Sequence, residues 1–385
     1  MRAFHAFADA REAARRRLPK GLFDYVDRGV GEEASLRALR HRLDAVTLAP
    51  RALMAGADRS TETQLLGRSF AAPFIIAPTA MAGLLHADGE VALARAAARH
   101  GLPVCLSTQS VTSVENLAAR VPEADIWMQL YLWQDLSLSA GLMARAAGAG
   151  VDVLVMTIDT PYGFRKEWNT RNGFGMPFRL GPRSLTDFAL HPRWVLTVAL
   201  RNLIRSGLPR MNNYPEGMRP PLLGRFDVPA VALRRDLRWK DVAWVRDRWP
   251  GRLILKGVMT PEDAHHAARH GADGIVVSSH GARNFDAAPA PIDVLPQIWA
   301  EAPAGLTVLA DSGIRRGLDV LRYQSRGAEA VMLGRLPLWA LAAGGEAGVD
   351  QCLAALRLEY REALDMTGGV VVPPKTGPDT RAASA

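Results

Sequence analysis

Eight short apolar runs, each separated from the next by a helix-like stretch or a longer connection, set the strongest limit on what this 385-residue chain can fold into. They lie at 74–77 (FIIA), 103–107 (PVCLS), 126–131 (IWMQLY), 152–158 (DVLVMTI), 253–256 (LILK), 274–278 (GIVVS), 306–310 (LTVLA) and 330–333 (AVML). Segments such as DGEVALARAAARHG, SVENLAAR and LMARAAGAG stand between them, and their Ala, Leu and Arg content with terminal glycines predicts helices. Further helices are expected to open at Pro261, near Ile292 and at Arg315. Runs this short and this apolar suit strands covered on both faces, the condition of a parallel sheet. An α/β chain with eight such units favours a closed (β/α)8 TIM barrel, although a doubly wound open sheet gives the same local pattern.

Two stretches fall outside the rhythm. Residues 1–60 predict an N-terminal helical cap, with a helix over Ala6–Arg17 and a helix end and turn at Asp24, Tyr25, Gly29 and Gly31. The barrel then takes 73–158 and 252–345, and 159–251 is an insertion after the fourth strand, too long for an ordinary connection. The centre of that insertion, HPRWVLTVALRNLIRSGLPR, puts Val195, Leu196, Ala199, Leu200, Leu203 and Ile204 on one helical face and Arg201 and Arg205 on the other. Residues 209–236 are rich in Pro, Asn and Arg, as in a mobile loop, and 373–385 reads as a disordered tail. The whole is expected to form one domain.

With 48% hydrophobic and 22% charged residues, the composition is that of a globular protein. A net charge of +8 suits an anionic substrate, an anionic cofactor, a membrane surface or nucleic acid, and does not choose among them. Cys105 and Cys352 are the only cysteines, which excludes a disulfide framework and a Cys-based zinc cluster and points to a reducing compartment; no metal site is expected. The N-terminus is charged and lacks the apolar core of a signal peptide, and no uncharged apolar run reaches the roughly 18 residues of a spanning helix.

In a barrel, polar residues at the strand C-termini share one face. Here they form a coherent series: Pro78-Thr79, Ser107, Gln129 and Tyr131, Thr157 and Asp159, Lys256, His280, Asp311, and Gly334-Arg335. The most informative corner is GADGIVVSSHGARNFD, where His280 offers a base titrating near neutrality and Arg283 a fork for a carboxylate or phosphate. An isolated His-x-x-Arg is more often a loop contact beside a solvated charge; recurrence at successive strand ends argues for chemistry. Asp311-Ser312-Gly313-Ile314-Arg315 and Gly334-Arg335 place Gly and Arg where helices begin, so free amides and guanidinium groups can meet a phosphate.

The ordered set LPKGLFDYVDRG, IAPTAM, LST, MQLYLW, MTIDTP, LKGV, SSHGARNFD, DSGIRRG and LGR resembles the FMN-dependent L-2-hydroxy acid oxidases and dehydrogenases from about Leu18 to Gly368. The resemblance implies FMN against Pro78, Thr79 and Ala80, with Ser107, Gln129, Thr157 and Ser278 as polar contacts. It places the phosphate at Asp311, Ser312, Gly313, Ile314, Arg315, Gly334 and Arg335, and Lys256 at the pyrimidine end of the ring. It also implies that Tyr25 and Tyr131 bond a small 2-hydroxy acid, that Arg283 grips its carboxylate, and that His280 removes a proton with Asp159 stabilising the imidazolium.

Departures from the family pattern fall near the substrate. Ser279 stands where Asn is usual, and Asn284-Phe285 where Gln-Leu is usual; a second carboxylate-binding Arg corresponds to Lys166, with Arg165 one residue earlier. In LHPRW and DSGIRRG the chain is similar to membrane-associated mandelate dehydrogenase. That likeness implies a peripheral enzyme on the cytoplasmic face of a membrane, passing electrons to a membrane quinone. Ala80 instead matches family oxidases, where membrane dehydrogenases have Gly, which implies a soluble oxygen-using oxidase. Family members imply a tetrameric homo-oligomer, and no nucleic-acid partner is expected. Another FMN barrel reaction, such as a diphosphate isomerisation, and a non-catalytic anion-binding barrel are the remaining alternatives.

Overall fold

The computed structural model describes residues 7–53, 59–161, 166–174, 181–221 and 227–369. A hairpin, β1 (Thr63–Leu65) and β2 (Arg68–Phe70), precedes the barrel. The barrel strands are β3 (Phe74–Ile76), β4 (Val104–Leu106), β5 (Ile126–Leu130), β6 (Val153–Thr157), β7 (Arg252–Val258), β8 (Gly274–Val277), β9 (Thr307–Asp311) and β10 (Ala330–Leu333). All pair in parallel and close in the order β10-β3-β4-β5-β6-β7-β8-β9, so each of the eight expected runs is a strand of a closed (β/α)8 barrel. Ile75, Cys105, Trp127, Val155, Ile254, Val276, Leu309 and Met332 fill its interior, and the hairpin plugs the N-terminal mouth with Leu65 and Phe70. That plug leaves the C-terminal mouth as the face for chemistry.

Three cap helices, α1 (Phe7–Arg17), α2 (Lys20–Asp27) and α3 (Ala34–Asp44), precede the hairpin, and α2 brings Tyr25 and Arg28 to the barrel mouth. The helices expected at Pro261 and near Ile292 are Pro261–Arg269 and Pro291–Glu301. The one expected at Arg315 starts at Gly317, because the buried Asp319 carboxylate accepts the Arg315 and Arg316 amides (2.9 and 3.1 Å) ahead of the first turn. The tail at 373–385 lies outside the described residues.

The insertion contains helices Glu167–Arg171, Pro182–Ala189 and Pro192–Trp194, the last continuing through a π-helical segment, Val195–Ala199, into Leu200–Ser206. Its inward face is Trp194, Val198 and Asn202: Trp194 Nε1 donates to Leu84 O (2.8 Å) and Asn202 Nδ2 to Gly83 O (2.9 Å). The apolar face expected from the sequence points outward, with Leu196 62% exposed and Ile204 76% exposed. The 209–236 stretch is not the loose loop its composition suggests over its described part. Asn212 donates to Val111 O (2.6 Å), and the fully buried Asn213 accepts from Val114 N (2.9 Å) and donates to Ser107 O (2.9 Å).

Candidate active site

At the C-terminal mouth one cavity is lined by Tyr25, Pro78, Thr79, Ala80, Ser107, Gln129, Tyr131, Thr157, Lys166, Lys256, His280 and Arg283, and continues along Asp311, Ser312, Gly313, Ile314, Arg315, Gly334 and Arg335. Asp159 and Ser278 stand behind this wall, in contact with its members. Arg165 lies outside the described residues.

His280 follows β8 in a left-handed turn with φ of 53°, 62° and 60° at His280, Gly281 and Ala282. Its Nδ1 lies 2.9 Å from Asp159 Oδ1, which leaves Nε2 as the nitrogen available to a substrate. Burial opposes ionisation of Asp159, but attraction to His280 and Lys256 outweighs it and holds the carboxyl below its usual range. Asp159 can approach because residue 257 is Gly: a Cβ there would lie 2.5 Å from Asp159 Cβ, and the backbone φ is +110°. A carboxylate holding an imidazole in one tautomer, ready to stabilise the imidazolium, suits proton abstraction.

Beside that pair the polar groups are fixed by one another. The buried Gln129 carboxamide accepts from Ser107 Oγ (3.2 Å) and Thr108 N (3.1 Å) and donates to Thr157 Oγ1 (3.0 Å). Lys256 Nζ lies 2.7 Å from Asp311 Oδ2 and donates to Ser278 Oγ (2.8 Å). Burial disfavours the ammonium, yet Asp311 and Asp159 overcome this and raise its pKa. Asp311 lines the cavity with Ser312, Gly313, Ile314 and Arg315, and its carboxylate is the partner of Lys256.

In the segment expected to hold a phosphate, some of the backbone donors are already engaged. The Arg315 and Arg316 amides are taken by Asp319, and that of Gly317 by Glu359 Oε2 (3.0 Å), so these helix-opening donors are already occupied. The guanidinium groups remain. Arg335 donates to the carbonyls of Val26 (3.0 Å) and Arg28 (3.1 Å), and no carboxylate contacts it among the described residues. Burial and the neighbouring Arg283 and Arg315 lower its pKa to about 9. A cation so penalised fits an anionic group in the adjoining cavity.

Tyr25, Tyr131, Lys166 and Arg283, the residues expected to meet a substrate, line the same cavity. Arg283 donates to Tyr25 O (2.7 Å) and Arg28 O (3.1 Å), with its guanidinium 5.1 Å from the Tyr25 ring centroid. Burial keeps the Tyr131 hydroxyl protonated, reinforced by Asp159. Repulsion from Arg283, then burial, lowers Lys166 to about 7.

Sequence reasoning missed Thr108, fully buried, whose hydroxyl donates to Gln129 O (2.7 Å) and accepts from Tyr131 N (3.2 Å). It lies inside the LST motif, so its signal was one residue away. Arg11 and Arg40, which also line the cavity, had no local signal because the cap helices bring them there, and Trp339 reaches it from the helix Arg335–Thr367 that follows the last strand.

A barrel with this mouth, a fixed cation in the cavity and, further along it, a guanidinium group with no carboxylate partner among the described residues suits an enzyme that binds an anionic cofactor. The chain belongs to the FMN-dependent dehydrogenase family, whose model matches residues 14–372, and it is therefore FMN-dependent. It is 40% identical over 363 residues to the L-lactate dehydrogenase of Pectobacterium atrosepticum (94% of this chain, 93% of that protein). Over 367 residues it is 38% identical to the L-lactate dehydrogenase of Pseudomonas aeruginosa (94% of each chain). Among solved structures, the monotopic membrane protein (S)-mandelate dehydrogenase superposes with a TM-score of 0.87 at 34% identity, covering 96% of each chain. A mandelate oxidase variant with (S)-mandelic acid gives 0.78 at 36% identity, covering 95% of each.

Proposed function

We propose that this chain oxidises a small L-2-hydroxy acid, of the lactate or mandelate type, to the 2-oxo acid and passes the electrons to a membrane quinone. The observation that carries the reading is the His280–Asp159 pair opening onto the same cavity as Arg283. Bound FMN supplies the two-electron acceptor that no side chain can. Arg283 and Lys166 hold the substrate carboxylate, and Tyr25 and Tyr131 orient its oxygens. His280 Nε2 takes the proton, and Asp159 stabilises the resulting charge. Lys256 provides a fixed cation where negative charge accumulates, and Arg315 and Arg335 hold the phosphate.

The acceptor assignment rests on the insertion. Leu196, Leu200, Leu203 and Ile204 are exposed together with Leu185 of the helix Pro182–Ala189 and with Leu190 and Leu208 at the ends of the segment, and Arg193, Arg201 and Arg205 lie on the same helical segment. An exposed apolar face with arginines beside it suits an anionic bilayer surface, where the chain would lie as a peripheral protein. No helix among the described residues is long and apolar enough to cross a membrane. One observation favours a second reading, a soluble oxygen-using oxidase: the Ala80 methyl lines the cavity. Rapid mixing of the FMN-loaded protein with glycolate, L-lactate, (S)-mandelate and longer hydroxy acids tests the chemistry through loss of flavin absorbance. Reoxidation by a quinone analogue against oxygen then separates the two acceptors. No reduction by any hydroxy acid sinks the reading.

A further inference from the structure

We infer that Ser312 is a positioning residue whose hydroxyl ties the His280 turn to the Lys256–Asp311 pair, so that base and cation are held as one unit. Among the described residues Ser312 has the largest φ of any non-glycine residue in the left-handed region, +82°, a conformation glycine adopts freely and serine does not. Strain of this kind persists where the surroundings over-determine it, and an observed outlier is a reason to ask what the residue does.

The hydroxyl answers that. Ser312 Oγ donates to Asp311 Oδ1 (2.8 Å) and accepts from Gly281 N (3.1 Å) and Ser279 Oγ (3.2 Å). Asp311 Oδ2 holds Lys256 Nζ (2.7 Å), Lys256 donates to Ser278 Oγ (2.8 Å), and Ser278 Oγ accepts from His280 N (3.0 Å). The bonds therefore close a loop: Lys256, Ser278, the His280 turn, Ser312, Asp311 and back to Lys256. Its side chains are buried beneath the cavity wall, with Ser278 at 0% and Ser312 at 8% exposure, so each link is held in place by its neighbours rather than by bulk water.

The His280 turn needs an external tie. Three successive residues are left-handed, two of them not glycine, and local preference does not hold such a shape. Without Ser312 Oγ the Gly281 amide and the Ser279 hydroxyl lose their acceptor, and the turn that sets the distance from His280 to Asp159 is freed. If Ser312 were only a polar filler, Ser312→Gly would relieve strain and change nothing else. The inference requires a split in which stability holds and function falls.

This rests on the reading of His280 as the base, and the experiment separates the two. Ser312→Gly, Ser312→Ala and His280→Ala are compared in the full chain by thermal midpoint of FMN-free protein, amide exchange over residues 279–282, and flavin reduction by L-lactate. Ser312→Gly is expected to keep or raise the midpoint, speed exchange in the turn at least tenfold, and slow reduction at least tenfold with KM changed less than twofold. Ser312→Ala loses function equally at a lower midpoint. Parental reduction or unchanged exchange in Ser312→Gly overturns the inference, as does a lowered midpoint with loss of FMN binding, which would make the hydroxyl a fold determinant. If His280→Ala reduces flavin normally, the reading of the base fails, and the exchange data still decide the tie.

Discussion

The barrel mouth and the outer helix of the insertion obey opposite rules. At the mouth, polar side chains sit inside the protein, and nearly all are bonded to one another: Gln129 to Ser107, Thr108 and Thr157, Lys256 to Asp311 and Ser278, His280 to Asp159. On the insertion, Leu196, Leu200, Leu203 and Ile204 sit outside, in water, with nothing of this chain over them among the described residues. Each arrangement costs free energy in isolation, by desolvation of polar groups in one case and exposure of apolar area in the other. An anionic flavin offsets the first cost, and the bilayer surface proposed above would offset the second.

The contrast breaks most visibly at His280. His280→Ala is expected to keep bound FMN while reduction by substrate slows by about 10² to 10⁴ or more, the usual cost of a positioned base. Stopped-flow absorbance checks this, and an unchanged rate removes His280 from the chemistry. At the opposite region, Leu196→Ser, Leu200→Ser, Leu203→Ser and Ile204→Ser together should abolish binding to anionic vesicles. Each aliphatic side chain taken fully out of water contributes about 1.5–3 kcal/mol. Flotation with phosphatidylglycerol vesicles reads the loss, and flavin reduction in the same variant should be unaltered. Deleting 187–220 would be a poorer test, since it removes the buried Asn213 that holds the loops after β4. A parental protein that ignores such vesicles turns the insertion into a protein contact instead.

Arg283→Lys sharpens the mouth at smaller scale. Charge persists but the planar fork is lost, and so are its anchors on the Tyr25 and Arg28 carbonyls. The expected result is a KM raised about tenfold or more, as for one charge-assisted hydrogen bond, with a lesser change in the limiting reduction rate. Unaltered saturation would place the carboxylate elsewhere.

These two regions were unequally legible in the sequence. The eight strands could be read because buried parallel strands are short unbroken apolar runs, and the titratable residues at their ends followed from the barrel itself. His280, Asp159 and Lys256 sit at strand ends and were found that way. The motif that precedes a helix puts Asp311 in the segment expected to hold a phosphate; that its carboxylate also turns to Lys256 depends on two strands meeting across the barrel, which no local pattern encodes. Likewise no local pattern shows that Asp319 and Glu359 occupy the amides of Arg315, Arg316 and Gly317. The amphipathic face of 193–206 was visible as a period of apolar residues, but its direction was not. Trp194, Val198 and Asn202 form a second, narrower stripe, and tertiary contact with Gly83 and Leu84 decides which stripe faces in.

The smallest effect falls on Lys166, where the mouth is not fully tied. Its pKa is lowered to about 7 by Arg283 and by burial, so its ammonium is charged below that pH and increasingly neutral above it. A substrate carboxylate meets two cations on the acid side and one on the alkaline side. The Kd or KM for a hydroxy acid should therefore rise several-fold between about pH 6 and pH 8.5, the window on either side of that value. Substrate binding opposes the trend by restoring the proton, which keeps the effect to about one order of magnitude or less. Lys166→Arg should flatten this dependence, since a guanidinium stays charged throughout. Parallel pH profiles for the parent and Lys166→Arg would mean that the ammonium does not reach the carboxylate, leaving Arg283 as the sole cation of that end among the described residues.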